Sequence, residues 1–127
     1  MTPNVLITDD DAGFRQTLCD ALSQHGLNLH QASDGDEALA VIDRQPIHLL
    51  LVDVHMPRVN GLEVIRSLAG LPKRIPAVLM SAMLNEEIER EAARMRAYRV
   101  LHKPIRLSVL RDIVCGSLAE TYGWRRS

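Results

Sequence analysis

Leu49-Leu50-Leu51-Val52-Asp53 is the stretch that decides the fold. Four consecutive apolar residues show no polar alternation, so neither face of the segment is built for water. This is the pattern of a central strand in a parallel sheet covered on both sides. The run stops at an aspartate, and Met56-Pro57-Arg58-Val59-Asn60-Gly61 beyond it is rich in turn residues. Three further runs stop in the same manner: Val5-Leu6-Ile7-Thr8 leads into Asp9-Asp10, Ala77-Val78-Leu79-Met80 into Ser81, and Val100-Leu101-His102 into Lys103. Ligands of an open parallel sheet bind outside the carboxyl ends of its strands, so these four ends can meet at one site. Each carries a group able to handle a phosphoryl group.

Helix-like segments alternate with these strands, the rhythm of βα units. Phe14, Leu18, Ala21 and Leu22 recur at helical spacing in a segment that stops near His25-Gly26, and a weaker strand, Leu27 to Ala32, follows. Asp34-Gly35-Asp36 opens a helix carrying Ala38, Leu39, Val41 and Ile42 that ends before Pro46. Leu62, Val64, Ile65 and Leu68 mark another helix, and Pro72 and Pro76 bracket a loop. Asn85 to Arg96 reads as a charged helix with Asn85 as N-cap and Glu86 and Arg90 as a favourable i,i+4 pair. The last helix runs from about Leu107 to Glu120 with Val109, Leu110, Ile113, Val114 and Leu118 on one side, and Tyr122 to Ser127 reads as a frayed tail. Five strands and five helices predict an α/β, doubly wound parallel sheet. One domain is expected over 1–121, with 122–127 as a C-terminal tail or the start of a linker.

A chain of 127 residues is the size of one domain with a core covered on both faces of a sheet. The formal charge is −1, with 15 basic and 16 acidic residues, so the overall balance points to neither nucleic acid nor an anionic membrane as partner. Only Phe14, Tyr98, Tyr122 and Trp124 are aromatic, too few for base-stacking platforms. No apolar run approaches the ~18 residues of a membrane span, and Thr2-Pro3-Asn4 leads into a strand rather than a secretory signal. The expected compartment is the cytoplasm. Cys19 and Cys115 lack metal-ligand spacing and a CxxC partner, which favours reduced, packed thiols. His25, His30, His48 and His102 lack the close pairing of a zinc site. Neither a GxGxxG nor a GxxxxGK[ST] motif occurs.

Gathering Asp9, Asp10 and Asp53 at one place poses a physical problem. Two carboxylates about 4 Å apart repel by roughly 4 kcal/mol at an effective dielectric of ~20, so the cluster needs protons or a cation. A hard divalent ion suits it, and Mg²⁺ prefers oxygen ligands; with Mg²⁺ and the Lys103 ammonium the charges balance. Asp11 fits the ordinary role of a helix N-terminal acid. Lys103 stands out by composition: 13 of the 15 basic residues are Arg, and Lys73 is the other lysine. A compact ammonium acts as a point charge on a phosphate.

The strings VLITDDD (5–11), LLLVDVHMPRVNGLEVI (49–65), VLMSA (78–82) and LHKP (101–104), in this order and spacing, resemble the receiver domain of bacterial two-component response regulators. The resemblance covers about Val5 to Leu118. It implies a flavodoxin-like fold with strand order 2-1-3-4-5, Asp53 as phosphoacceptor, and Asp9 and Asp10 as the acid pair holding Mg²⁺, with the His55 backbone carbonyl as a further ligand. It also implies Ser81 as the hydroxyl that turns toward the phosphoryl group, Lys103 as the lysine that contacts it, and a Lys103-Pro104 bond that is often cis. The function implied is Mg²⁺-dependent transfer from a phosphohistidine of a sensor histidine kinase or phosphotransfer protein to Asp53, followed by hydrolysis. Output to a downstream effector domain or protein would pass through the fourth helix, fifth strand and fifth helix, and a phosphorylation-dependent homodimer is compatible with it.

Three details qualify this expectation. In the family an aromatic residue three positions before the lysine swings inward; here that position is Val100. Tyr98 lies two residues earlier, on the same strand face by the period of two, so either Tyr98 substitutes from a displaced place or the aromatic half of the switch is missing. His55 and Met83 match positions bordering the path of hydrolytic water, although both can equally be rim residues. Two alternatives stay open: an aspartyl-phosphate hydrolase, whose nucleophile normally lies in a DxD motif after the first strand, and a phosphorylation-independent binding module.

Overall fold

The computed structural model describes residues 1–125. Strands and helices alternate along the chain as β1 (Asn4–Thr8), α1 (Ala12–Leu22), β2 (Asn28–Ala32), α2 (Gly35–Arg44), β3 (Leu49–Asp53), α3 (Gly61–Leu68), β4 (Ala77–Ser81), α4 (Glu86–Arg94), β5 (Arg99–His102) and α5 (Leu107–Tyr122). Every strand pairing is parallel, and the order is β2-β1-β3-β4-β5. The chain therefore reverses its direction of travel across the sheet between β1 and β3. A crevice opens at such a reversal, outside the strand carboxyl ends.

β3 shows why the apolar run is uninterrupted. Leu50 and Val52 pack with Ala38, Val41, Val64, Ile65 and Ile88 on the α2, α3 and α4 side. Leu49 and Leu51 pack with Leu18, Leu22, Leu110, Val114 and Leu118 on the α1 and α5 side. Helices cover both faces, and all five β3 residues are buried. The edge strands β2 and β5 are only partly buried.

The helix starts are set by local side-chain chemistry. Asp11, Asp34, Asn60 and Asn85 each accept a hydrogen bond from the backbone N–H three residues on, satisfying a donor that the helix itself leaves unpaired. Asn60 and Glu63 form a reciprocal capping box. Glu86 and Arg90 pair at 3.7 Å, both exposed.

Several boundaries differ from those expected. α1 ends at Leu22, and a turn through Gly26, at φ 70°, leads into β2. α4 stops at Arg94 because the chain enters the left-handed region at Arg96, φ 58°. α5 continues to Tyr122, where Gly123 at φ 69° closes it. Tyr122 is thus not frayed: its hydroxyl donates to the His48 carbonyl at 2.7 Å, and Trp124 packs against the core. Arg126 and Ser127 of the expected tail lie outside the described residues. Val109 does not join the buried side of α5. Leu110, Val114, Ser117 and Leu118 occupy the inward face, leaving Val109 39% exposed.

Tyr98 also departs from expectation. It precedes β5, donates its backbone N–H to the Ala77 carbonyl, and packs with the α1 and α5 cluster, where burial, then Glu120, pushes the pKa of its hydroxyl above the ordinary tyrosine value. Val100 packs with the α4-side cluster. The two side chains lie on opposite faces of the sheet, since the period of two holds only within a strand and β5 begins at Arg99.

His48 joins β1 to the end of α5. Its Nδ1 accepts the Asn4 N–H at 2.9 Å, and the Tyr122 ring meets it edge-on at 5.3 Å. Burial, then the Lys73 charge, pushes its pKa below the ordinary histidine value. A protonated Nδ1 cannot accept the Asn4 bond. The stabilising contribution of neutral His48 is therefore complete above about pH 6.5 and is lost as pH falls from there toward the lowered folded value. In thermal melts across that window, His48→Asn should flatten the pH dependence while costing about 1 kcal/mol at neutral pH. An unchanged slope would contradict this.

Candidate functional site

Parallel register brings the four sequence-distant strand ends together. Thr8 pairs with Val52, so Asp9, one residue on, stands level with Asp53. Asp53 in turn pairs with Met80 and Ser81 with His102. Gly61 lets α3 begin directly against this end of β3: a Cβ there would collide with the Asp53 carbonyl oxygen. The loop between them is tied to α2 by Arg58, which takes a left-handed backbone at φ 64° and pairs with Asp34 at 3.0 Å and Asp36 at 3.4 Å.

Carboxylate oxygens of Asp9, Asp10 and Asp53 lie within 4.8 Å of one another. Asp9 and Asp53 are buried and Asp10 is exposed. Lys103 crosses from β5 to place Nζ 2.7 Å from Asp9 Oδ2 and 3.4 Å from Asp53 Oδ2. Its peptide bond to Pro104 is cis. Burial, reinforced by the Asp9 charge, lifts the Asp53 pKa above the usual carboxylate value against the opposing pull of Lys103. For Lys103, burial alone would lower the pKa, but the hydrogen bond to Asp9 and the Asp53 charge outweigh it, and the net direction is up. One ammonium does not neutralise three carboxylates. A set of hard oxygen donors with residual negative charge suits a divalent cation, as the sequence predicted.

Ser81 is buried at the end of β4. Its hydroxyl accepts the Met83 N–H at 3.0 Å and lies 3.0 Å from His55 Nε2. The His55 backbone N–H points to Asp53 Oδ1 at 3.4 Å. The Met83 side chain is 72% exposed at the rim. Asp9, Asp10, Asp53, His55, Ser81 and Lys103 are thus all drawn to this one end of the sheet.

Other neighbours were not singled out in the sequence. The Lys103 ammonium sits over the Phe14 ring at 4.4 Å, an arrangement favourable by cation–π attraction. Arg15 Nη1 donates to the Asp9 carbonyl at 2.6 Å. The signal available was their place in the first turn after Asp11, where a helix starting at the crevice must present side chains to it. The contact of His55 with Ser81 had no such signal, because it depends on a side-chain rotamer across two strands.

A family model described as "Response regulator receiver domain" matches residues 5–115. A relative named "Probable chemotaxis protein CheY", from Rhizobium etli, is 30% identical over 113 residues, covering 87% of this chain and 88% of its own. "Response regulator RR06" of Streptococcus pneumoniae is 31% identical over 107 residues, covering 84% of this chain. The present chain spans 49% of that regulator's length. In fold, a CheY-like receiver domain protein from Methanospirillum hungatei JF-1 superposes with a TM-score of 0.90 at 22% identity, over 94% of this chain and 96% of that one. With sheet order, acidic pocket and family match in agreement, the chain belongs to the response regulator receiver domains of two-component systems.

Proposed function

We propose that Asp53 accepts a phosphoryl group from a phosphohistidine on a sensor histidine kinase or phosphotransfer protein, and that the modified site switches a downstream effector. The observation that carries this reading is the Asp53 carboxylate itself, buried at the reversal point of the sheet with Lys103 at 3.4 Å and two further aspartates at hand. In the step proposed, an Asp53 Oδ atom forms a bond to phosphorus while the phosphorus–nitrogen bond of the donor breaks and its electron pair returns to the imidazole. Charge builds on the transferring oxygens, and catalysis comes mostly from positioning and electrostatic stabilisation. Lys103 supplies one fixed positive charge. Asp9, Asp10 and Asp53, with the His55 backbone carbonyl, would hold Mg²⁺, which supplies charge neutralisation for the phosphoryl oxygens. The Ser81 hydroxyl then donates to a phosphoryl oxygen. Attack of water on phosphorus later breaks the Asp53–phosphoryl bond and restores the carboxylate.

The proposed output face is the surface of α4, β5 and α5, where Val100 of β5 packs with the α4-side cluster. The reading includes a receiver unit over 1–121, a cytoplasmic setting and a homodimer formed on phosphorylation. Among the described residues no helix is long and apolar enough to cross a membrane.

The test is to incubate the protein with phosphoramidate and Mg²⁺, reduce the acyl phosphate with borohydride, and map the modified residue by mass spectrometry. Homoserine at position 53 is the expected result. Modification confined to another position would sink the assignment.

A further inference from the structure

We infer that the His55 imidazole is a latch on the Ser81 hydroxyl, holding its proton away from Asp53 until a phosphoryl group competes for it. The inference rests on the phosphoacceptor reading and adds to it a positioning residue that acts through Ser81.

A serine hydroxyl has one proton to donate and two lone pairs to accept with. Ser81 Oγ already accepts the Met83 N–H at 3.0 Å. Its other contact is His55 Nε2, also at 3.0 Å. Ser81 is fully buried, so its proton has no route to solvent. Were His55 Nε2 to carry hydrogen and donate, Ser81 would be left with a buried, unused O–H, which costs about 1–3 kcal/mol. The tautomer with hydrogen on Nδ1 and a bare Nε2 removes that cost: the serine donates to the imidazole, and its hydroxyl is paired both as donor and as acceptor. His55 itself is exposed and flanks the crevice, so the ring forms a cover over the hydroxyl that can swing out toward solvent.

Before phosphorylation the single Ser81 proton is therefore committed to His55. A phosphoryl group on Asp53 offers charged oxygens, which accept hydrogen bonds about twice as strongly as a neutral nitrogen. It gains the Ser81 proton only by releasing the imidazole. The latch thus sets the threshold for the hydroxyl movement and biases the resting protein toward the off arrangement. Removing the acceptor should favour binding of a phosphoryl mimic in proportion to one neutral hydrogen bond, roughly three- to tenfold.

The experiment titrates the protein with beryllofluoride and Mg²⁺ and follows binding by fluorine NMR. His55→Ala removes ring and acceptor together, while His55→Phe keeps a ring that cannot accept. Both are expected to tighten binding by that factor when Ser81 is present, and to change it less than twofold in a Ser81→Ala background. Imidazole ¹⁵N shifts should show Nε2 as the unprotonated nitrogen in the free protein, losing its hydrogen bond when the mimic binds. Unchanged affinity in the two His55 variants, or an equal gain in the Ser81→Ala background, would overturn the latch. Binding that survives Asp53→Asn would overturn the phosphoacceptor reading and the latch with it.

Discussion

Asp53→Asn is expected to abolish phosphoryl uptake and, at the same time, to make the protein more stable at neutral pH. The first effect follows because an amide has no anionic oxygen with which to attack phosphorus; label from phosphoramidate and Mg²⁺ should fall below detection. The second follows from the direction of the Asp53 pKa. Burial and the neighbouring Asp9 charge raise it above the unfolded value of 3.8, so the folded state binds this proton more tightly than the unfolded chain does. An acid of that kind is least costly to folding below its unfolded pKa and becomes a burden as pH rises through the folded one. At pH 7 the burden is fully present, and the asparagine variant escapes it. A higher melting temperature than wild type at pH 7 is expected. The difference should shrink as pH falls toward 3.8, and also when Mg²⁺ is added, since a ligand that binds the folded wild type stabilises it by mass action. Undiminished labelling of the variant, or a lower melting temperature at pH 7, would contradict the account.

Lys103→Met should have the opposite effect on stability and a large one on rate. The ammonium touches Asp9 at 2.7 Å and Asp53 at 3.4 Å, and both carboxylates are buried. Removing one partner of a buried ion pair leaves charge without compensation and costs on the order of 3 kcal/mol. Because the net pull on Lys103 is upward, its contribution is complete below the unfolded value of 10.5 and is lost only as pH rises through the folded one. The loss in the variant should therefore be visible across the neutral range. Acid, which protonates the carboxylates, and Mg²⁺, which supplies positive charge in another form, should each recover part of it. Removal of a group that stabilises developing charge lowers rates by about 10²–10³, so single-turnover labelling should slow by that order. A rate within twofold of wild type would mean that Lys103 does not contact the transferring group.

The positions legible from the chain were those where a local rule and a long-range one agreed. Leu49 to Val52 lacked alternation and proved to be packed on both faces; Asp34 and Asn85 read as helix starts and act as N-caps. The strand order and the meeting of Asp9, Asp10, Asp53 and Lys103 were also anticipated, the order through the resemblance. Errors fell where tertiary contacts overrode local pattern. Tyr122 was expected to fray, but its hydroxyl finds the His48 carbonyl 74 residues away. Tyr98 was assigned to the face of Val100 by counting in twos, but the strand starts one residue later, and the ring turns to α5. Val109 looked inward by composition, although α5 has room for only one stripe.

By itself the sequence determined the alternation of strands and helices, the burial of β3 and the kinds of group at the strand ends, because these depend on periodicity, capping and residue chemistry over a few positions. Only the tertiary structure decided how those groups pair: Lys103 with Asp9 more closely than with Asp53, His55 with Ser81, Phe14 beneath the ammonium. Such choices differ by an ångström or by one rotamer. They are made by register between strands and by the packing of neighbours far off in the chain, and no local pattern encodes them.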